Sequence, residues 1–332
     1  MTEDDVEHSP HPAVLAACRG LFERPAHLPP WLFYDAAGSA LFEQITDLPE
    51  YYLTRAERSI LEHHADEIVA LASGDENRRL HVVELGAGTA TKSQLVLDAV
   101  VRRQGACRFL PVDVSVSALQ VAAARLERES PAVSVHPVVA THEEALPAIR
   151  ALGPTRLVLF LGSSIGNHPD EEAVALLRAV GDTLLPGGCV LVGADRRKDP
   201  AVLVPAYDDA AGVTAAFNRN VLVRLNREVG ADFDVAAWRH EARWNAARSR
   251  IEMHLVARGR QVVSVPRVGV TTFQDGDSIH TESSRKYDPA HAHRLLREAG
   301  FHRIGTFTDP EGRFDLHLAR LDPVRRAAAW AA

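Results

Sequence analysis

The residues best placed to do chemistry begin at Glu84. The run Glu84-Leu85-Gly86-Ala87-Gly88-Thr89 closes a β-branched stretch, and its two glycines let a ligand approach the backbone closely. A helix starting just after such a turn offers unbonded N–H groups. Asp113 ends the next expected strand, where a carboxylate can accept from the two hydroxyls of a ribose. Together these residues read as a seat for a nucleoside. The third glycine of a dinucleotide fingerprint falls at position 91, and Thr91 stands there, which disfavours a nicotinamide dinucleotide. Metal chemistry has less support. The 16 histidines contain no H-x-x-x-H and no H-E-x-x-H; His63 and His64 are adjacent, and His291 and His293 face apart on an expected helix. Cys18, Cys107 and Cys189 lie far apart without a C-x-x-C, so neither a disulfide framework nor a thiolate zinc site is expected. No metal is assigned.

The elements that must carry these residues alternate. Strands are expected at 80–88, 107–115, 133–140 and 156–167, with a fifth, CVLVGAD, after the LLPGG turn at 184–188. TATKSQLVLDAVVRR, SALQVAAARLERES and EEAVALLRAVGDTL supply helices between them. Regular alternation of this kind predicts an α/β fold: an open parallel sheet covered by helices, with ligands at the carboxyl ends of its strands. The alternation stops near residue 201. One long helical stretch, VPAYDDAAGVTAAFNRNVLVRLNREVG, is followed by antiparallel strands in IEMHLVARGRQVVSV and DSIHTESSRKY. After the helix AHAHRLLREAGF, HRIGTFTD and RFDLHLARL predict a closing hairpin. The expected division is a Rossmann-like domain of residues 63–200 plus 287–332 and a smaller α+β substrate lobe of residues 1–62 plus 201–286.

The E-x-G-x-G turn with Asp113 resembles S-adenosylmethionine (SAM) binding in class I methyltransferases. Longer motifs narrow this. Phe33-Tyr34-Asp35, Gly38-Ser39, LFEQITDLPEYYLTRAER, ELGAGTATK, FLGSSIGN, AYDDAAGVTAAFNRN, RIEMHL and TESSRKY resemble, in order and spacing, the histidine Nα-methyltransferases of ergothioneine biosynthesis. The resemblance covers residues 20–320. It implies a SAM-dependent enzyme that trimethylates the α-amine of L-histidine to hercynine.

By that resemblance Gly162, Asn167 and Tyr207 hold the amino-acid head, chiefly its carboxylate. Tyr51 or Tyr52, with Glu282 and Ser284, reads the imidazole; Met253 lines the pocket; and Tyr34 lies near the amine, where it accepts or relays the proton. Gly86, Gly88, Lys92 and Asp113 fall where the family contacts SAM. Strand alternation independently points Glu282 and Ser284 to one face and Ser283 to the other, so a carboxylate and a hydroxyl can converge on one ring. An ammonium cannot attack, and a nearby sulfonium depresses the amine's pKa by like-charge repulsion. Two departures stand out. Thr141 and His142 replace the acidic–aromatic pair expected at the adenine, which leaves Thr141 an uncharged acceptor there, and Leu53 replaces a proline after PEYY.

Composition agrees with small-molecule chemistry. At 332 residues, with 46% hydrophobic and 24% charged residues, the chain can bury a real core. A formal charge of −7 without a basic stripe argues against nucleic acid. No apolar run approaches the ~20 residues that span a bilayer, and MTEDDVEHSPHP is no signal peptide, so a cytoplasmic monomer without a membrane partner is expected. The rival readings are a relative acting on another amino acid, such as a tryptophan derivative, and a non-catalytic regulator that binds SAM or an amino acid.

Overall fold

Four apolar runs, each bounded by turn residues, become the parallel centre of one sheet: His81–Leu85, Cys107–Asp113, Leu157–Phe160 and Cys189–Asp195. These come from a computed structural model that describes residues 12–74, 79–151, 157–185 and 187–322. The acidic N-terminal stretch, Arg156, Pro186 and residues 323–332, on which parts of the sequence reading fall, lie outside the described residues. Contacts divide the chain into two compact units, Met1–Tyr51 with Asp199–Ser283 and Tyr52–Lys198 with Ser284–Ala332.

In the larger unit the sheet runs Phe301–Thr308, Phe314–Leu321, Cys189–Asp195, Leu157–Phe160, His81–Leu85, Cys107–Asp113 and Val133–Val135. Counted in chain order within this unit, with Val133–Val135 and Val138–Val139 taken together as the third, the strands lie 3-2-1-4-5-7-6, and Phe314–Leu321 runs antiparallel to both neighbours. The third expected strand is split. Pro137 has no N–H to donate, so the run breaks into Val133–Val135 and Val138–Val139, both paired with Cys107–Asp113. The helix Tyr52–Ser73 packs on the helix Ser93–Gln104 and on Phe314–Leu321, so residues 52–62 go with the larger unit, where the sequence reading had set the border at 62.

The smaller unit carries a four-stranded sheet in the order Ala26–His27, Ser278–Arg285, Arg250–Ala257, Trp238–Asn245, of which the Ser278–Arg285 strand crosses the division at its end. A separate hairpin pairs Gln261–Val265 with Gly269–Phe273. The long helix expected from 204 to 230 is shorter, Val213–Val229. Pro205 lacks a donor, and Asp209 takes the Val213 and Thr214 amides at 2.9 and 2.7 Å, which starts the helix late. On this helix the buried Asn218 donates to His254 O at 3.1 Å and accepts from Thr281 Oγ1 at 2.8 Å, tying two strands to it.

Candidate active site

At the carboxyl end of His81–Leu85 the backbone turns through Gly86 (φ 72°) and Gly88 (φ 52°), a left-handed conformation that costs glycine nothing. The Gly86 and Ala87 amides both donate to Val112 O at 2.9 Å. Asp113 then accepts the Gly88 amide at 2.8 Å through one oxygen and the Ser115 amide at 2.8 Å through the other. Burial pushes its carboxyl up, and these amides pull it back. A side-chain carbon added at Gly88 would meet nothing within 4 Å, and one at Gly86 would stand 3.5 Å from His142 Nε2. A bare turn flanked by a fixed carboxylate and an imidazole is a fit for the nucleoside part of SAM. His142 sits edge-on to Phe160 at 5.1 Å, and burial, reinforced by His168, pushes it down to about 4, so the ring is neutral at pH 7. Thr141 has a different local duty. The Glu144 carboxylate takes its amide and its hydroxyl, each at 3.0 Å, and the hydroxyl takes the Glu144 amide at 3.3 Å, a reciprocal capping pattern on the turn that leads into the helix Leu146–Ala151.

The next strand end carries the FLGSSIGN loop. Gly162 (φ 72°) and Ser163 (φ 59°) are both left-handed, and a non-glycine residue in that region stores strain. Ser163 Oγ accepts the Asp195 amide at 2.9 Å and holds the loop against the neighbouring strand. The Gly162 amide is already committed, at 2.9 Å, to both oxygens of Glu57. Glu57 also takes Lys92 Nζ. Of Gly162's polar groups, the carbonyl is therefore what remains to face an amino acid. Asn167 closes the turn Ser164–Asn167 and does not cap the following helix, which starts at Asp170 after Pro169.

A second buried carboxylate lies at the end of Cys189–Asp195. Asp195 accepts from Tyr52 Oη at 2.9 and 2.8 Å, from Lys198 Nζ at 2.5 Å and from Lys286 Nζ at 2.8 Å. Lys286 also donates to Ser284 Oγ at 2.9 Å. Of the two adjacent tyrosines, Tyr52 is thus bound into this network. Neither Glu57 nor Asp195 stands out in the sequence. The one signal is Gly193, a glycine inside a buried apolar strand, which marks a close approach.

In the smaller unit, aromatic rings link three of the expected residues. Tyr34 meets Phe42 at 5.7 Å, Phe42 meets Tyr51 at 6.2 Å, and Tyr51 meets Tyr207 at 6.2 Å, all edge to face. The Tyr207 backbone is held by His240. Asn218 donates to His240 Nδ1 at 2.8 Å, so the neutral ring carries its proton on Nε2 and donates to Tyr207 O at 2.8 Å. Burial keeps that ring neutral by pushing it down, against the pull of the Tyr207 carbonyl. Asp35, beside Tyr34, caps the helix Ala36–Asp47 through the Gly38 amide at 2.7 Å and takes Asn220 at 2.8 Å and Arg227 at 2.6 Å. Met253 is buried in Arg250–Ala257, and Glu282 is half-buried in Ser278–Arg285.

A strand order of 3-2-1-4-5-7-6, with a glycine turn after the first strand and an acid after the second, defines a class I methyltransferase fold. The family model described as "Histidine-specific methyltransferase, SAM-dependent" matches residues 14–321. The chain is 46% identical over 301 residues to histidine N-alpha-methyltransferase of Mycobacterium tuberculosis (strain CDC 1551 / Oshkosh), covering 90% of this chain and 92% of that one. It is 30% identical to ergothioneine biosynthesis protein 1 of Neurospora crassa, over 89% of this chain and 33% of that one. Among solved structures, magnesium protoporphyrin IX methyltransferase from Synechocystis PCC 6803 is similar with a TM-score of 0.46 and 12% identity, covering 93% of this chain and 100% of that one. The chain belongs to the family of histidine-specific, SAM-dependent methyltransferases. Among the described residues no helix is long and apolar enough to cross a membrane, and no group of three or more His, Cys, Asp or Glu could hold a metal ion.

Proposed function

We propose that this protein methylates the α-amine of L-histidine three times, with SAM as donor, and so makes hercynine, the first step of ergothioneine biosynthesis. The observation that carries the reading is that Lys92, a residue assigned to the donor, and Gly162, a residue assigned to the amino acid, share the carboxylate of Glu57. SAM supplies a methyl already activated on a sulfonium. The chain's own residues orient, desolvate and release a proton. Gly86, Gly88, Lys92 and Asp113 hold the donor, with Asp113 on the ribose and His142 at the adenine, while the Thr141 hydroxyl expected there is taken up by Glu144. A neutral His142 can pair with a base edge that the usual acid would have bound.

Gly162 through its carbonyl, Asn167 and Tyr207 fix the amino-acid head, so that the amine lone pair is aimed, and such orientation lowers a barrier by several kcal/mol. Glu282 and Ser284 read the imidazole, and Met253 forms wall. Tyr51 joins them, while Tyr52, held by Asp195 and Lys198, is scaffold. Tyr34 accepts or relays the amine proton. Three buried cysteine thiols far apart in sequence suit a reducing compartment, so the reading includes a cytoplasmic monomer that needs no metal, membrane or nucleic acid.

Mass spectrometry of the protein with SAM and histidine tests this. Products heavier by one, two and three methyls are expected; no gain over hours, or faster methylation of tryptophan, overturns it. Glu282→Ala should weaken histidine binding roughly tenfold to a hundredfold, the worth of a hydrogen bond to a charged group, and leave SAM within about twofold. Calorimetric titration with each ligand reads the difference, and equal losses contradict the role.

A further inference from the structure

Glu57 lies on the helix Tyr52–Ser73 and is wholly buried. Its carboxylate is met from three sides. Lys92 Nζ bonds one oxygen, the Gly162 amide reaches both at 2.9 Å, and Gly193 closes the third side. A side-chain carbon at Gly193 would stand 2.3 Å from Glu57 Oε1, nearer than atoms approach, so this glycine is the space the carboxylate occupies. Lys92, which stands just before the helix Ser93–Gln104, keeps 21% of its side chain exposed, while Glu57 keeps none. The pair is therefore one-sided: the cation can reach a ligand and the anion cannot.

A second carboxylate is near but does not balance Lys92. Glu84 is buried and bonded to Ser93. Burial pushes it up to about 8, and the charges of Glu57 and Asp113 add to that, against the pull of Ser93 and Lys92. At pH 7 it is mostly protonated, which leaves Glu57 to offset the ammonium.

We propose that Glu57 is the charge-setting and positioning residue of the donor site: by offsetting Lys92 it lets the site favour the cationic sulfonium of SAM over the uncharged thioether of the product. This deepens the functional reading and rests on its assignment of Lys92 to SAM. An unpaired ammonium beside a sulfonium repels it through a partly buried medium, and at separations of several ångströms that repulsion is worth roughly tenfold in affinity or more. The thioether carries no such charge. Product release after each of three transfers would benefit from that preference, because spent donor must give way to fresh SAM.

The test is titration calorimetry of the full chain with SAM and, separately, with S-adenosylhomocysteine. Glu57→Gln should weaken SAM about tenfold and S-adenosylhomocysteine by less than about threefold. Lys92→Met should shift the preference the other way, toward SAM, even as both ligands lose a contact. The double variant, with neither charge, should return the ratio of the two affinities to within about twofold of the wild type. A group that only braces the fold would weaken both ligands alike and would not be rescued by removing Lys92, so equal losses in Glu57→Gln, or a ratio unrestored in the double variant, overturn the proposal. Should Glu57→Gln not fold, the shift in Lys92→Met decides, and an unchanged ratio overturns it. If Lys92→Met alters the affinity of neither ligand, the assignment of Lys92 fails and the proposal falls with it, a result distinct from a changed affinity with an unchanged ratio.

Discussion

Two buried carboxylates of the larger unit are built on opposite plans. Glu57 faces one ammonium, Lys92, and one backbone amide. Asp195 faces two ammoniums, Lys198 and Lys286, and a tyrosine hydroxyl. Lys286 is wholly buried, and burial pushes Lys198 down to about 8, although the attraction of Asp195 opposes this. The first arrangement sets one anion against one partly exposed cation; the second sets one anion against two cations, of which Lys286 is wholly buried. On the proposal made for Glu57, the first group weighs a ligand's charge, while the second ties Tyr52, Lys198 and Lys286 to one strand end.

Removing Asp195 should have the largest effect on stability. Asp195→Asn removes the carboxylate that Lys286 and Lys198 share, and breaking a buried ion pair by removing one partner costs about 3–5 kcal/mol. Denaturant unfolding should show it, and a loss below about 1 kcal/mol would erase the distinction. Tyr52→Phe keeps the charges and removes only the hydroxyl, so about 1–2 kcal/mol is expected by the same measurement. The smallest effect is with pH. Between about 8 and the ordinary lysine value of 10.5, the unfolded chain holds a proton on Lys198 that the folded chain has released. Stability therefore rises with pH across that window and is flat below it, by about 1 kcal/mol for the first pH unit above 8. The stability difference between wild type and Lys198→Met should grow by that amount from pH 8 to pH 9; a constant difference would mean that Lys198 keeps its proton and that Asp195 is fully doubly paired.

The glycine turn and the acid beside it were legible because backbone built them. Glycines at 86 and 88 and an acid at the end of the following strand are adjacent in sequence or one β–α step apart, and the short apolar runs bounded by turns gave the parallel strands. Side-chain networks were not legible for the opposite reason. Tyr52 and Asp195 are 143 residues apart, and Glu57 and Gly162 are 105 apart, so no local pattern announces them. Local rules also misled where one proline or cap outweighed periodicity. Pro137 split a strand that alternation had joined, and Asp209 with Pro205 delayed a helix whose composition runs unbroken. At Thr141 the spacing to Glu144 was itself a capping signature, readable without any ligand.

The backbone leaves the larger unit after Lys198 and re-enters at Ser284, and these two ends are stitched together inside that unit. The Arg197 amide donates to Tyr287 O at 2.8 Å, the Tyr287 amide donates to Asp195 O at 2.8 Å, and Arg196 bridges to Tyr287. An excursion that departs and returns at one spot behaves as an insertion, which can be exchanged or resized without re-threading the host sheet. Residues 199–283 are nonetheless tied to residues 26–35 of their own unit, through the pairing of Ala26 with Ile279 and the bond from Asn220 to Asp35, so the two segments must change together while the host sheet keeps its threading.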